Sequence, residues 1–166
     1  MAEEWLVPEP NRRMYVRIRL ASGIKASIRI VWVSASGVRS SPGTVLLLDL
    51  SPGGCGFVSA LLFPAAPGIG LEIEWDAGRN RMRIAGQIVW SRREGNLYRH
   101  GMRFLEMSVR DRVHLLQELG RLLIEQCPGQ SKIHMLYRDQ CGRCLTQMTA
   151  EEKIRGEVLW NEHSEG

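Results

Sequence analysis

The alternation of apolar and polar residues changes period once along the chain. Ile24, Ala26, Ile28, Ile30 and Trp32 alternate with Lys25, Ser27 and Arg29, and a period of two predicts a half-buried strand. Thr44 to Leu50 and Gly56 to Phe63 are apolar runs of strand length. Leu71, Ile73 and Trp75 alternate with Glu72, Glu74 and Asp76, and the stretches Met82 to Trp90 and Tyr98 to Leu105 follow. Turn chemistry separates these runs at Ser22-Gly23, Ser41-Pro42-Gly43, Pro67-Gly68, Asp76-Ala77-Gly78 and Glu94-Gly95-Asn96. About six short strands joined in this way predict a small all-β antiparallel barrel or sandwich.

The period becomes helical at Ser108. Ser108-Val109-Arg110-Asp111 resembles a capping box. Val109, Val113, Leu116, Leu119, Leu122 and Leu123 then recur at helical spacing to about Gln126, with Cys127-Pro128-Gly129 as the stop. The stripe is wide enough to bury against a sheet. The chain therefore divides into an acidic, proline-containing lead-in (1–11), a barrel with a closing helix (12–126) and a cysteine-containing tail (127–166). In the tail, Thr149-Ala150-Glu151-Glu152 is a second capping box and predicts a short helix over about 150–160.

Composition adds limits. With 166 residues, 44% apolar and 24% charged, the chain has a globular balance. No apolar run approaches the roughly 18 residues a membrane helix needs. The acidic start has neither the basic nor the apolar region of an export signal, which predicts a cytoplasmic chain. Four cysteines in such a chain do not suggest a disulfide framework. The net charge is only +4, yet all but three of the 22 basic residues are arginine, whose planar fork suits phosphates and guanine edges.

Two patterns carry candidate chemistry. Asp49-Leu50-Ser51-Pro52-Gly53-Gly54 is a D-x-S-x-x-G at the end of an apolar strand, and Arg13-Met14-Tyr15-Val16-Arg17 is an R-x-x-x-R upstream. The arginine pattern alone is worth little, because Arg79/Arg83 and Arg99/Arg103 match it too. Together the two are chemically coherent. A carboxylate accepts from guanine N1–H and the exocyclic amine, and a serine hydroxyl adds a bond to base or phosphate. Glycine at 54 permits a tight turn, a positive φ and close approach to a ligand. Arginines on an arm grip phosphates or read O6 and N7. The alternative is that Asp49 and Ser51 cap a turn, Gly54 supplies its φ, and the arginines are solvated.

These residues resemble the PilZ domain, the bacterial receptor module for cyclic di-GMP. The likeness covers roughly residues 12–125. It rests on Arg12-Arg13-x-x-x-Arg17, Asp49 to Phe57, Pro67 to Ile73, Gly86 to Ser91, Tyr98 to Phe104, and the helix opening at Ser108 with Asp111-Arg112. The resemblance implies a six-stranded antiparallel barrel with a C-terminal helix. It implies that Arg13 and Arg17 wrap the ligand, that Arg12 adds to the site, and that Asp49, Ser51 and Gly54 meet the ligand from the barrel surface. The 31 residues between Arg17 and Asp49 are a little long for the family, which places an insert around Ser36 to Ser41. The implied function is a cyclic di-GMP receptor or effector that is not an enzyme, needs no cofactor and acts through a protein partner met by the tail or the barrel. An adaptor on the same fold that ignores nucleotide is the alternative reading. Nucleic-acid binding through the arginines at 79–103 is disfavoured by the interspersed acids.

In the tail, Cys141-Gly142-Arg143-Cys144 is a C-x-x-C. With Cys127 and His134 it forms a candidate zinc set. A redox pair and ordinary free cysteines are the competing readings. Cys55 reads as a small core residue.

Overall fold

The computed structural model describes residues 17–126. Seven strands precede one helix: β1 (Ile18–Val33), β2 (Ser36–Gly37), β3 (Gly43–Ser51), β4 (Gly54–Ser59), β5 (Ile69–Ala77), β6 (Asn80–Glu94), β7 (Leu97–Phe104) and α1 (Val109–Gln126). The sheet runs β2-β1-β3-β4-β7-β6-β5, and β1 also pairs with β5. Six antiparallel strands thus close into a ring, and the two-residue β2 is an addition beside β1. Closure leaves no open edge in the ring. The inward positions form one apolar core that includes Ile28, Leu47, Leu50, Phe57, Leu71 and Ile73.

β1 begins six residues earlier than the alternation predicts. Ser22-Gly23 is not a turn between elements but a bulge within the strand. The register shifts between Arg19 and Ile24, and the rungs Ile18↔Leu50 and Arg19↔Asp49 hold the chain before it. Gly23 takes φ +68 there, a conformation that a β-carbon disfavours. The chain after β1 turns through Ser34 and Ala35, both at positive φ. Residues 36–41 precede β3, whereas Asp49 lies near the end of that strand.

β4 is shorter than the apolar run from Gly56 to Phe63. It stops at Ser59, whose hydroxyl accepts the Leu61 amide at 2.9 Å. Phe63 then folds inward and meets Phe57 edge-on at 6.2 Å and His100 edge-on at 5.4 Å. His100 is fully buried and stacks on Phe57 at 5.0 Å. Its Nε2 lies 3.1 Å from the Leu61 carbonyl and its Nδ1 lies 2.8 Å from the Ser91 hydroxyl. The Ser91 hydroxyl also lies 2.8 Å from the Phe63 carbonyl. The pair pins the β4–β5 connection to the barrel.

Burial lowers the His100 pKa, outweighing the hydrogen bond to Leu61 that raises it. A folded histidine with a depressed pKa binds its proton later than the unfolded chain does. Its contribution to stability is present above the unfolded value of about 6.5 and is lost as pH falls from there toward the folded value. Thermal unfolding should therefore show a melting temperature that drops between pH 7.5 and 5.5. His100→Gln, which cannot charge, should show a shallower drop.

α1 starts as its sequence predicts. The Ser108 hydroxyl accepts the Asp111 amide at 3.1 Å and donates to the Asp111 carboxylate at 2.7 Å, which satisfies an otherwise orphaned amide of the first turn. Leu115, Leu119, Leu122 and Leu123 join the barrel core. At the far end the Gln126 side chain accepts the Ala21 amide at 3.1 Å, tying the helix to β1. Buried Glu118 accepts from Arg121 Nε at 2.8 Å and from its Nη2 at 2.7 Å. Among the described residues no helix is long and apolar enough to cross a membrane.

Candidate functional site

The site grows from two bulges on the barrel wall. In β3 the register against β4 shifts between Leu47 and Asp49. Leu47 and Leu50 are both fully buried, so the extra residue lets both point inward while Asp49, itself only 9% exposed, lies across from Gly56. In β6 the register against β7 shifts between Ile88 and Trp90. Ile88 stays in the core, while Trp90 is 38% exposed and pairs with Gly101. Gly56 and Gly101 are themselves partners across β4 and β7. One cross-strand row therefore reads Asp49, Gly56, Gly101, Trp90.

The two glycines are required by their neighbours. A β-carbon at 56 would collide with the Asp49 carboxylate, and one at 101 would collide with the Trp90 indole. The carboxylate thus lies over Gly56 and the indole over Gly101. The result is a hydrogen-bond acceptor beside an aromatic plate, on a rigid sheet rather than a loop.

Cations flank the carboxylate. Arg17 Nη1 lies 3.4 Å from Asp49 Oδ1, and Arg99 Nη2 lies 3.9 Å from Oδ2. Arg19 is the β1 register partner of Asp49. Cys55, buried next to the turn, has its thiol pKa pushed far up by burial and then by the Asp49 charge, with Arg17 opposing. It stays a protonated core residue, as its place in the sequence suggests.

Ser51 and Gly54 are close to Asp49 but do different work. They are register partners across the two-residue turn Pro52-Gly53. The Ser51 hydroxyl, itself buried, donates to the Gly54 carbonyl at 3.2 Å. The Phe104 amide donates to the Gly53 carbonyl at 2.9 Å and ties the turn to β7. Gly54 is not at positive φ. A β-carbon there would run into the Met102 carbonyl oxygen, so a close approach to β7 demands glycine at this position. The Ser51 hydroxyl thus closes the turn, while the Asp49 carboxylate meets Arg17 and Arg99.

Of the residues singled out in sequence, Arg17, Asp49, Ser51 and Gly54 come together. Arg12, Arg13, Cys127, His134, Cys141 and Cys144 lie outside the described residues. Among the described residues no group of three or more histidine, cysteine or acidic side chains could hold a metal.

Trp90, Gly56, Gly101 and Arg99 are candidate site residues that the two motifs do not include. Their signal is alternation. In β7, His100, Met102 and Phe104 are buried in the core, which leaves Arg99, Gly101 and Arg103 for the outer face. Three of the other six arginines of the 79–103 stretch are engaged with acids. Arg83 meets Glu72 and Glu74, Arg81 meets Glu74 and Asp76, and Arg92 meets Glu94.

Comparison with known proteins agrees with this geometry. A model of the PilZ domain matches residues 11–123. Escherichia coli YcgR in complex with c-di-GMP superposes with a TM-score of 0.53 at 22% identity, over 74% of this chain and 50% of that one. The Bacillus subtilis inhibitor of motility MotI/DgrA gives 0.52 at 17%, over 71% and 54%. The isolated PilZ domain of YcgR with c-di-GMP gives 0.50 at 24%, over 71% and 98%. At these identities the likeness establishes the fold, and the chain spans about half the length of YcgR and of MotI/DgrA. A search of curated proteins returned no match. The six-stranded ring with its C-terminal helix, the D-x-S-x-x-G turn on its wall and the match over most of its length make this chain a member of the PilZ domain family.

Proposed function

We propose that the chain is a cyclic di-GMP receptor that binds the nucleotide on the glycine-floored row. The observation that carries this reading is the side-by-side placement of the Asp49 carboxylate and the Trp90 indole over Gly56 and Gly101. A guanine laid on the indole presents N1–H and the amine to the carboxylate. Arg12, Arg13 and Arg17 supply cations for the two phosphates. Arg17, already at Asp49, has to exchange part of that contact for phosphate, so binding reorganises the arm. Ser51 and Gly54 act by fixing the turn that carries Asp49. That PilZ-fold structures were solved with c-di-GMP bound supports the same reading.

The output is a change in the surface offered to a protein partner by the arm, the barrel or the tail, in the cytoplasm and without catalysis. Binding can shift that surface only by its different affinity for the two states. Metal analysis of the full chain tests whether Cys127, His134, Cys141 and Cys144 hold zinc. Trp90→Ala tests the plate. It should weaken cyclic di-GMP binding about tenfold, the usual worth of one stacked base, and leave the unliganded melting temperature nearly unchanged. An unchanged affinity would remove Trp90 from the site. A folded protein whose melting temperature ignores excess ligand would favour the nucleotide-independent adaptor.

A further inference from the structure

We infer that Arg99 reads guanine O6 and so sets the base specificity of the site. This rests on the proposal that Asp49 receives a guanine. The Watson–Crick edge of guanine presents, in order, the amine, N1–H and O6, that is two donors and then an acceptor. Asp49 supplies the two acceptors. Its Oδ1 is approached by Arg17 at 3.4 Å and its Oδ2 by Arg99 at 3.9 Å. A base whose amine faces Oδ1 and whose N1–H faces Oδ2 places O6 just beyond Oδ2, on the Arg99 side. There the guanidinium donates to O6, and the adenine amine, a donor, would be met by a donor.

Three features make Arg99 fit for this role rather than for another salt bridge. At 3.9 Å its contact with Asp49 is longer than a hydrogen bond, which leaves the donor available. It stands on β7 opposite Val58 and beside the Gly101 position of the row, on the rigid wall and not on the arm. Its other terminal nitrogen is 3.7 Å from Glu94, which also holds Arg92, so the guanidinium is steered from its far side.

The test compares cyclic di-GMP with its 6-thio analogue, which keeps N1–H and the amine but replaces O6 with a weakly accepting sulfur. Calorimetric affinities are measured for the full-length wild type, Arg99→Ala and Arg99→Lys, each with its unliganded melting temperature. Wild type should prefer the oxygen compound by about tenfold, as expected for loss of a charge-assisted bond. Arg99→Ala should lose about tenfold for cyclic di-GMP, lose nothing further for the thio analogue, and show no preference between them. Arg99→Lys, which keeps a donor, should retain part of the preference. Equal losses for both ligands in Arg99→Ala would make Arg99 a general phosphate or structural cation and overturn the assignment, as would unchanged affinity. Wild type that binds no cyclic di-GMP would overturn the receptor reading itself, and this assignment with it.

Discussion

Gly54→Ala should destabilise the barrel by about 3 kcal/mol, the upper range of overpacking in a closed interior. The methyl group would strike the Met102 carbonyl oxygen of β7, and backbone cannot rotate away as a side chain can. Gly54 pairs with Ser51 on one side and Arg103 on the other, so any retreat breaks rungs in two ladders. A loss of this size should lower the melting temperature by roughly 10 °C. Binding would weaken too, but through the loss of folded protein. A variant that melts like wild type and only fails to bind would show that Gly54 serves the ligand directly.

Asp49→Ala should have the opposite signature: at least about a hundredfold loss of cyclic di-GMP affinity with little change in stability. Two charge-assisted bonds to the base are removed, each worth about 1.5–3 kcal/mol. The Asp49 side chain is only 13% exposed, but the fold should tolerate its loss because the groups it pairs with are not themselves buried. Its partners Arg17 and Arg99 are 42% and 33% exposed at the side chain, and both can turn to water when the acid is gone. Asp49→Asn refines the point. The amide keeps the shape but offers one donor where the guanine also donates, so it should still lose tenfold or more. Matched calorimetry and thermal melts of the two variants check this. Affinity within threefold of wild type for both would remove Asp49 from the site.

The fold was legible because apolar periodicity marks each strand and the helix, and turn residues mark the gaps between them. What periodicity did not show are places where tertiary contacts override it. Ser22-Gly23 has turn composition, yet rungs on either side make it a bulge. Leu61 and Leu62 look like strand core, but His100 and Ser91 bond the carbonyls of Leu61 and Phe63 and pull the chain out of the sheet. Asp49 was legible as a site residue because the motif places it. Trp90 and Arg99 were not, because their approach to Asp49 depends on a bulge in β6 and on cross-strand register. At Gly54 the conformation differs for a similar reason: glycine in a turn suggests positive φ, whereas here the demand comes from a carbonyl on a neighbouring strand.

The most direct test of the receptor reading is calorimetric titration of the full-length protein with cyclic di-GMP, with GTP and cyclic di-AMP in parallel cells. The site described here predicts saturable binding of cyclic di-GMP alone, because Asp49 needs the guanine donors and the arm needs two phosphates. Absence of heat and of thermal stabilisation with cyclic di-GMP, or equal binding of all three nucleotides, would contradict it.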